Sequence, residues 1–145
     1  VDEFLTTQVV RLGHALRRTI TQPYVAEAGL TQSQWRILSV LAAHPEMTLN
    51  ALATEAAVDK ALVSRTLRQL EELHLVRLDS VPNAPRKGLR CRLSASGARL
   101  HARTIDKARG AQAAVLLRLD PAERRAAWQI LQKLSALCEQ AEADR

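Results

Sequence analysis

Basic side chains are the most concentrated chemistry in this chain. Between Val58 and Arg92, eight of them (Lys60, Arg65, Arg68, Arg77, Arg86, Lys87, Arg90 and Arg92) stand against four acids (Asp59, Glu71, Glu72 and Asp79), a local excess of +4. From Val1 to Ala28, by contrast, Arg11, Arg17 and Arg18 are balanced by Asp2, Glu3 and Glu27. Much of the net charge of +6, and of the sequence pI of about 10.1, therefore belongs to the middle of the chain. A cluster of that sign and density suits a polyanion, above all the phosphates and base edges of double-stranded DNA.

Other chemistry is thinly represented. Cys91 and Cys138 are too few and too scattered for a disulfide framework or a zinc site. His14, His44, His74 and His101 have no mutual ligand spacing and no adjacent cysteine, so no metal ligand set and no cofactor are expected. Glycine is scarce, and neither a phosphate-cradling loop nor a Ser-His-Asp or paired-carboxylate arrangement stands out. No catalytic residue is assigned, and an enzyme is not expected. No apolar run is long enough to span a membrane and no secretory signal opens the sequence, which reads as cytoplasmic.

The elements that must position the cations follow from periodicity and caps. In Val58 to Glu72, VDKALVSRTLRQLEE, Asp59 is a good N-cap residue and no Gly or Pro interrupts a helix. Val63, Leu67 and Leu70 fall on one buried stripe, while Ala61, Ser64, Arg65 and Arg68 fall on another face that is small, polar and basic. Alone, this is either a DNA recognition helix or an ordinary amphipathic helix with a solvated face. Its surroundings decide between them. Thr48 caps a short helix, Leu49 to Ala56, whose inner side is Leu52, Ala53 and Ala56, and a tight turn joins the two helices. After them, Val76 and Leu78 alternate with Arg77 and Asp79, and Leu89, Cys91 and Leu93 alternate with Arg90 and Arg92. That alternation marks two half-buried strands around the turn-forming, basic segment SVPNAPRKG. A hairpin with a basic tip directly after a recognition helix is a wing, and it carries the reading to DNA binding.

The flanks are helical. Leu5, Val9, Leu12, Leu16 and Ile20 form a stripe from Asp2 to roughly Ala28, with Pro23 expected to kink or end the helix and Gly29 to stop it. Thr31 and Gln34 have capping-box spacing ahead of a helix that buries Trp35, Leu38, Leu41 and Ala42 and stops near His44-Pro45. Ser94 caps a later helix with Leu100, Thr104, Ala108, Ala111 and Val115 on one face. Asp120-Pro121-Ala122-Glu123 opens the last one, with Ala127, Leu131, Leu134, Cys138 and Ala141 on its stripe. Both cysteines are expected to pack as small hydrophobes. With aromatics at 3%, the core must be mostly Leu, Val and Ala.

The expected fold class is mainly α (α+β winged helix): an N-terminal dimerisation helix over 1–29, a winged helix-turn-helix DNA-binding domain over 30–93 and C-terminal dimerisation helices over 94–145. The outer helices carry more apolar seam than the small domain covers, so a second copy of the chain is the expected partner. A metal- or redox-sensing repressor and a protein-binding winged-helix module are the alternatives; the module would lack the basic face kept here.

The chain resembles the MarR (multiple antibiotic resistance regulator) family of bacterial transcription factors. The resemblance rests on Asp59-Lys60-Ala61-Leu62-Val63-Ser64-Arg65, Leu67-Arg68-Gln69-Leu70-Glu71, Leu75-Val76-Arg77, Arg86-Lys87, Leu93-Ser94-Ala95-Ser96-Gly97 and the position of Trp35. It implies an obligate homodimer, most often a repressor, on a pseudo-palindromic operator, released by a small phenolic or carboxylate effector. By the same resemblance, Lys60, Ala61, Ser64 and Arg65 lie nearest bases or flanking phosphates, and Arg68 lies on the backbone. Thr48 and Asn50 meet phosphates, and the wing tip, Arg86 and Lys87, brings Arg86 into the minor groove. His14, Arg18 and Trp35 are candidates for the effector pocket. Two departures stand out. Pro85 replaces the Asp that commonly precedes the tip Arg and cannot form its ion pair, and His74 sits where a Gly commonly ends the recognition helix.

Overall fold

In chain order, the computed structural model describes residues 4–80 and 88–144. The N-terminal helix runs as three segments: α1 (Leu5–Leu16), a π-helical turn (Arg17–Thr21) and α2 (Gln22–Glu27). Pro23 neither stops the helix nor stands inside an unbroken α-helix. It lies in the first turn of α2, directly after the wider π turn, which absorbs the missing N–H and the crowded carbonyl of the preceding turn. Gly29 ends the helix as expected, at φ +73°, with its N–H donated to the Ala26 carbonyl at 2.9 Å.

Helix α3 (Gln32–Ala43) opens on the expected capping box. Thr31 Oγ1 accepts from the Gln34 N–H at 3.2 Å, and Gln34 Oε1 accepts from the Thr31 N–H at 2.9 Å. It buries Trp35, Leu38 and Leu41 together with Ile37, whereas Ala42 is exposed. A single stripe does not include Ile37. The helix packs against α4, α5 and β3 at once, and this broad contact buries a wider face and leaves Ala42 outside it.

Strand β1 (Met47–Thr48) leads into α4 (Leu49–Ala56), which buries the expected Leu52, Ala53 and Ala56. The turn to α5 (Lys60–Glu72) contains no glycine. Ala57 takes the left-handed conformation itself, at φ 51°, and the Val58 N–H closes onto the Ala53 carbonyl at 3.0 Å. Strands β2 (Val76–Ser80) and β3 (Leu89–Leu93) pair antiparallel, with Val76 opposite Leu93 and Leu78 opposite Cys91. Strand β1 adds to the other edge of β3, so the sheet order is β1-β3-β2. Two residues are too short to show alternation, which is why β1 has no sequence signal.

Val25, Leu38, Leu52, Val63, Leu67, Leu70 and Cys91 lie at the centre of one hydrophobic cluster in which Trp35 is the only aromatic. Each fully buried aliphatic side chain there contributes about 1.5–3 kcal/mol of transfer free energy. Helix α6 (Ala95–Leu116) buries Gly97, Thr104 and Ala108 but exposes Val115. The chain divides into two compact units, one ending at Arg109 and the other beginning at Gly110. In the second, α7 (Pro121–Ala143) has its expected capping box, with Asp120 Oδ1 accepting from the Glu123 N–H at 2.9 Å and Glu123 Oε2 accepting from the Asp120 N–H at 2.8 Å. None of its residues is buried within the chain, and Cys138, expected to pack, is exposed.

Candidate nucleic-acid interface

Helix α5 is set by its cap and its inner stripe. The Asp59 carboxylate accepts from the Ala61 N–H at 3.2 Å and the Leu62 N–H at 3.1 Å, filling two of the donors that a helix start leaves open. Val63, Leu67 and Leu70 are at most 1% exposed, and Thr66 is buried beside them. On the opposite side Lys60, Ala61, Arg65 and Arg68 are exposed and Ser64 is half-buried. Lys60, Arg65 and Arg68 have no ion-pair partner among the described residues. Unpaired cations on a rigidly held face keep their field for a partner instead of spending it internally.

The far end of α5 explains how a helix stops without glycine. His74 occupies the left-handed region at φ 58°, and its N–H is donated to the Glu71 carbonyl at 2.8 Å. Its carbonyl accepts from both Ser94 Oγ at 2.6 Å and Ser96 Oγ at 3.0 Å. The Ser94 N–H is donated to the Leu75 carbonyl at 3.0 Å, and Ser94 Oγ accepts from the Gly97 N–H at 2.9 Å. The segment Ser94-Ala95-Ser96-Gly97 therefore ties the start of α6 to the corner between α5 and the wing.

Thr48 caps α4 through Oγ1, which accepts from the Ala51 N–H at 3.2 Å, and Asn50 is exposed in the same first turn. The amides of that turn point out of the helix, where an anion finds both donors and the positive end of the dipole. On the outer face of the wing sheet, Arg77 lies opposite Arg92 and Asp79 opposite Arg90. Asp79 binds Arg92 at 3.0 Å, and Arg90 is held by Glu46. Thr48 is the cross-strand partner of Arg90 on the other edge. Arg86, Lys87 and Pro85 lie outside the described residues.

The three effector-pocket candidates do not form one contact set. His14 is exposed near the end of α1 and accepts at Nδ1 from Arg17, the first residue of the π turn. Arg18 is exposed within that turn. Trp35 is 8% exposed and stacks on His101, with ring centroids 4.9 Å apart and planes at 17°. Burial first, and the Arg109 charge second, lower the His101 pKa below the ordinary histidine value of 6.5. His101 was missed because it lies 66 positions from Trp35 and carries no local pattern. Burial pushes the Cys91 thiol up to about 11, which removes the thiolate that redox chemistry requires.

The sequence model of the MarR family matches residues 28–86. No curated protein matches the chain. Among solved structures, the MarR family protein Rv2887 of Mycobacterium tuberculosis is 29% identical, with 93% of this chain and 96% of that one covered and a TM-score of 0.72. The same protein in complex with DNA is 28% identical over 92% and 98% of the two chains, also at a TM-score of 0.72. Ligand-free MarR from E. coli shares the fold at 18% identity, with 92% and 98% covered and a TM-score of 0.80. NadR in complex with 4-hydroxyphenylacetate shares it at 22% identity, with 91% and 92% covered and a TM-score of 0.72.

Proposed function

We propose that this chain, which belongs to the MarR family of DNA-binding winged-helix transcription regulators, is a homodimeric repressor released from its operator by a small aromatic or carboxylate effector. One observation carries the reading of the site. Lys60, Arg65 and Arg68 stand exposed and unpaired, among the described residues, on the face of α5 opposite its buried stripe. In this reading Lys60, Ala61, Ser64 and Arg65 meet bases and adjacent phosphates, and Arg68 meets the backbone. Thr48 and Asn50 hold a phosphate at the start of α4, and Arg86 and Lys87 reach DNA from the wing tip. A complex of the 28%-identical Rv2887 with DNA supports it.

Dimerisation is supported by apolar surface that each unit leaves uncovered. Phe4 is 78% exposed in the first unit, with Leu5, Val9 and Leu12 behind it on α1. In the second, Trp128 is 64% exposed, with Ile130, Leu131 and Leu137 on the same helix. Patches of that kind mark association surfaces, and a second copy is the partner always at hand. Residues 1–29 and 94–145 then form the dimerisation region, and 30–93 the DNA-binding domain. The effector class rests on the family resemblance and on NadR, whose complex holds 4-hydroxyphenylacetate; Trp35, His14 and Arg18 are the side chains assigned to it.

Footprinting on the DNA upstream of its own gene, with and without aromatic acids, tests the function. Two protected half-sites about 10 bp apart, lost on adding an effector, are expected. Absence of any protected site overturns the regulator reading, and a monomer by light scattering at micromolar concentration overturns the dimer.

A further inference from the structure

We propose that Arg90 is a further contact to a DNA phosphate and that Glu46 is its built-in competitor, so that docking exchanges the Glu46 carboxylate for a backbone phosphate. The proposal rests on the DNA-binding reading above and adds to it a residue and an internal anion that set the affinity.

The register of the sheet places Arg90 where it is needed. Strands β1 and β3 pair Met47 with Cys91 and Thr48 with Arg90. Cross-strand partners share a face, so the half-buried Met47 and buried Cys91 point inward, and Thr48 and Arg90 point outward. Thr48 is also the N-cap of α4, whose first-turn amides open toward an anion. Arg90 therefore stands one strand away from that helix start, and along the chain it follows Gly88 by two residues, at the base of the wing loop. The helix start is its neighbour across the sheet.

Its present partner is Glu46, immediately before β1. The two side chains are 53% and 37% exposed, so water screens the pair and holding it together stabilises the fold little. A phosphate arriving at the start of α4 offers the guanidinium a bidentate acceptor of the same charge as the carboxylate, and its neutralisation releases counterions from the DNA, which the Glu46 pair cannot do. Arg92 differs. It lies one row further from Thr48, and its carboxylate partner, Asp79 at 3.0 Å, belongs to the sheet itself. Glu46 adds a repulsive element as well. Any docking that leaves no phosphate beside Thr48 keeps the acid pointed at the DNA, which costs affinity for misplaced duplexes.

Binding to a 30-bp duplex of random sequence, measured against salt concentration, tests the exchange. Glu46→Gln frees Arg90 and is expected to tighten binding several-fold and to steepen the salt dependence. Arg90→Ala should weaken binding and reduce the slope of log K against log salt by about 0.9 per protomer, the value of one phosphate contact. Arg90→Lys should keep that slope, since a phosphate contact needs the charge and not the planar fork. The double variant Glu46→Gln with Arg90→Ala should keep the reduced slope of Arg90→Ala, because removing the acid restores no phosphate contact. If Glu46→Gln changes nothing, or Arg90→Ala leaves the slope intact while Arg65→Ala still weakens binding, the exchange is wrong and the DNA-binding reading stands. If the unaltered protein does not bind the duplex at all, both are overturned.

Discussion

Gly97 turns its bare Cα toward the Leu75 carbonyl: a methyl group built there would lie 2.0 Å from the oxygen and 2.9 Å from the carbonyl carbon. Both neighbours are backbone, and that oxygen already accepts from the Ser94 N–H. Gly97→Ala must therefore push α6 off the corner after α5 and should cost about 3 kcal/mol, read as a fall in the urea midpoint. Gly110→Ala is the control. Nothing lies within 4 Å of its added methyl, so the same change should stabilise α6 by roughly 0.5–1 kcal/mol.

Arg65 is exposed on α5 with its position fixed by the buried Val63 and Leu67 on either side. Arg65→Ala should cost about 1–3 kcal/mol on the cognate operator if the guanidinium reads a base bidentately. Fold and thermal midpoint should be unchanged, because the side chain supports no contact in the core. Fluorescence anisotropy on cognate and random duplexes separates the outcomes: an equal loss on both makes Arg65 a phosphate clamp and not a base reader.

The two thiols should behave differently. Cys91 is buried, with its pKa raised to about 11. In a Cys138→Ser variant, the native protein should take up no thiol reagent at pH 8, and denaturant should release one equivalent. The same shift has a stability consequence. A folded pKa above the unfolded value means that the unfolded chain loses its proton first, so the stability tied to this thiol is complete below pH 9 and is lost as pH rises toward 11.

His101 reports at the acid end. Its folded pKa is lowered, by burial and then by Arg109, so below 6.5 the unfolded chain binds the proton more readily. The stability tied to the neutral ring is present above pH 6.5 and is lost as pH falls through the folded pKa. Urea midpoints at pH 8 and pH 5 should differ more in the wild type than in His101→Gln, and an equal difference in both would remove His101 from the acid response. With Trp128 replaced by Phe, Trp35 emission should follow the same titration, since its ring stacks on His101.

The basic face of α5 was legible in the residues because cap, stripe and charge repeat within one or two turns. The left-handed Ala57 was not, because a methyl side chain gives no preference for that conformation, and at His74 the residues marked only the place of a usual glycine, not the Ser94 and Ser96 hydroxyls that hold its carbonyl. Pairing of Glu46 with Arg90 across 44 positions and of Trp35 with His101 likewise has no local mark.

By itself the sequence determined what depends on neighbours two to four residues apart: the capping boxes at Thr31 and Asp120, the cap at Asp59, the buried stripe of α5 and the alternation in β2 and β3. Those interactions close inside a single turn or strand, so their geometry follows from spacing alone. Tertiary structure decided which edge of β3 received β1, that Ile37 and not Ala42 entered the core, and that a serine-glycine segment fastens the end of α5. Each is a packing choice between distant segments, where shape and unmet hydrogen bonds select the partner and no period in the sequence records it.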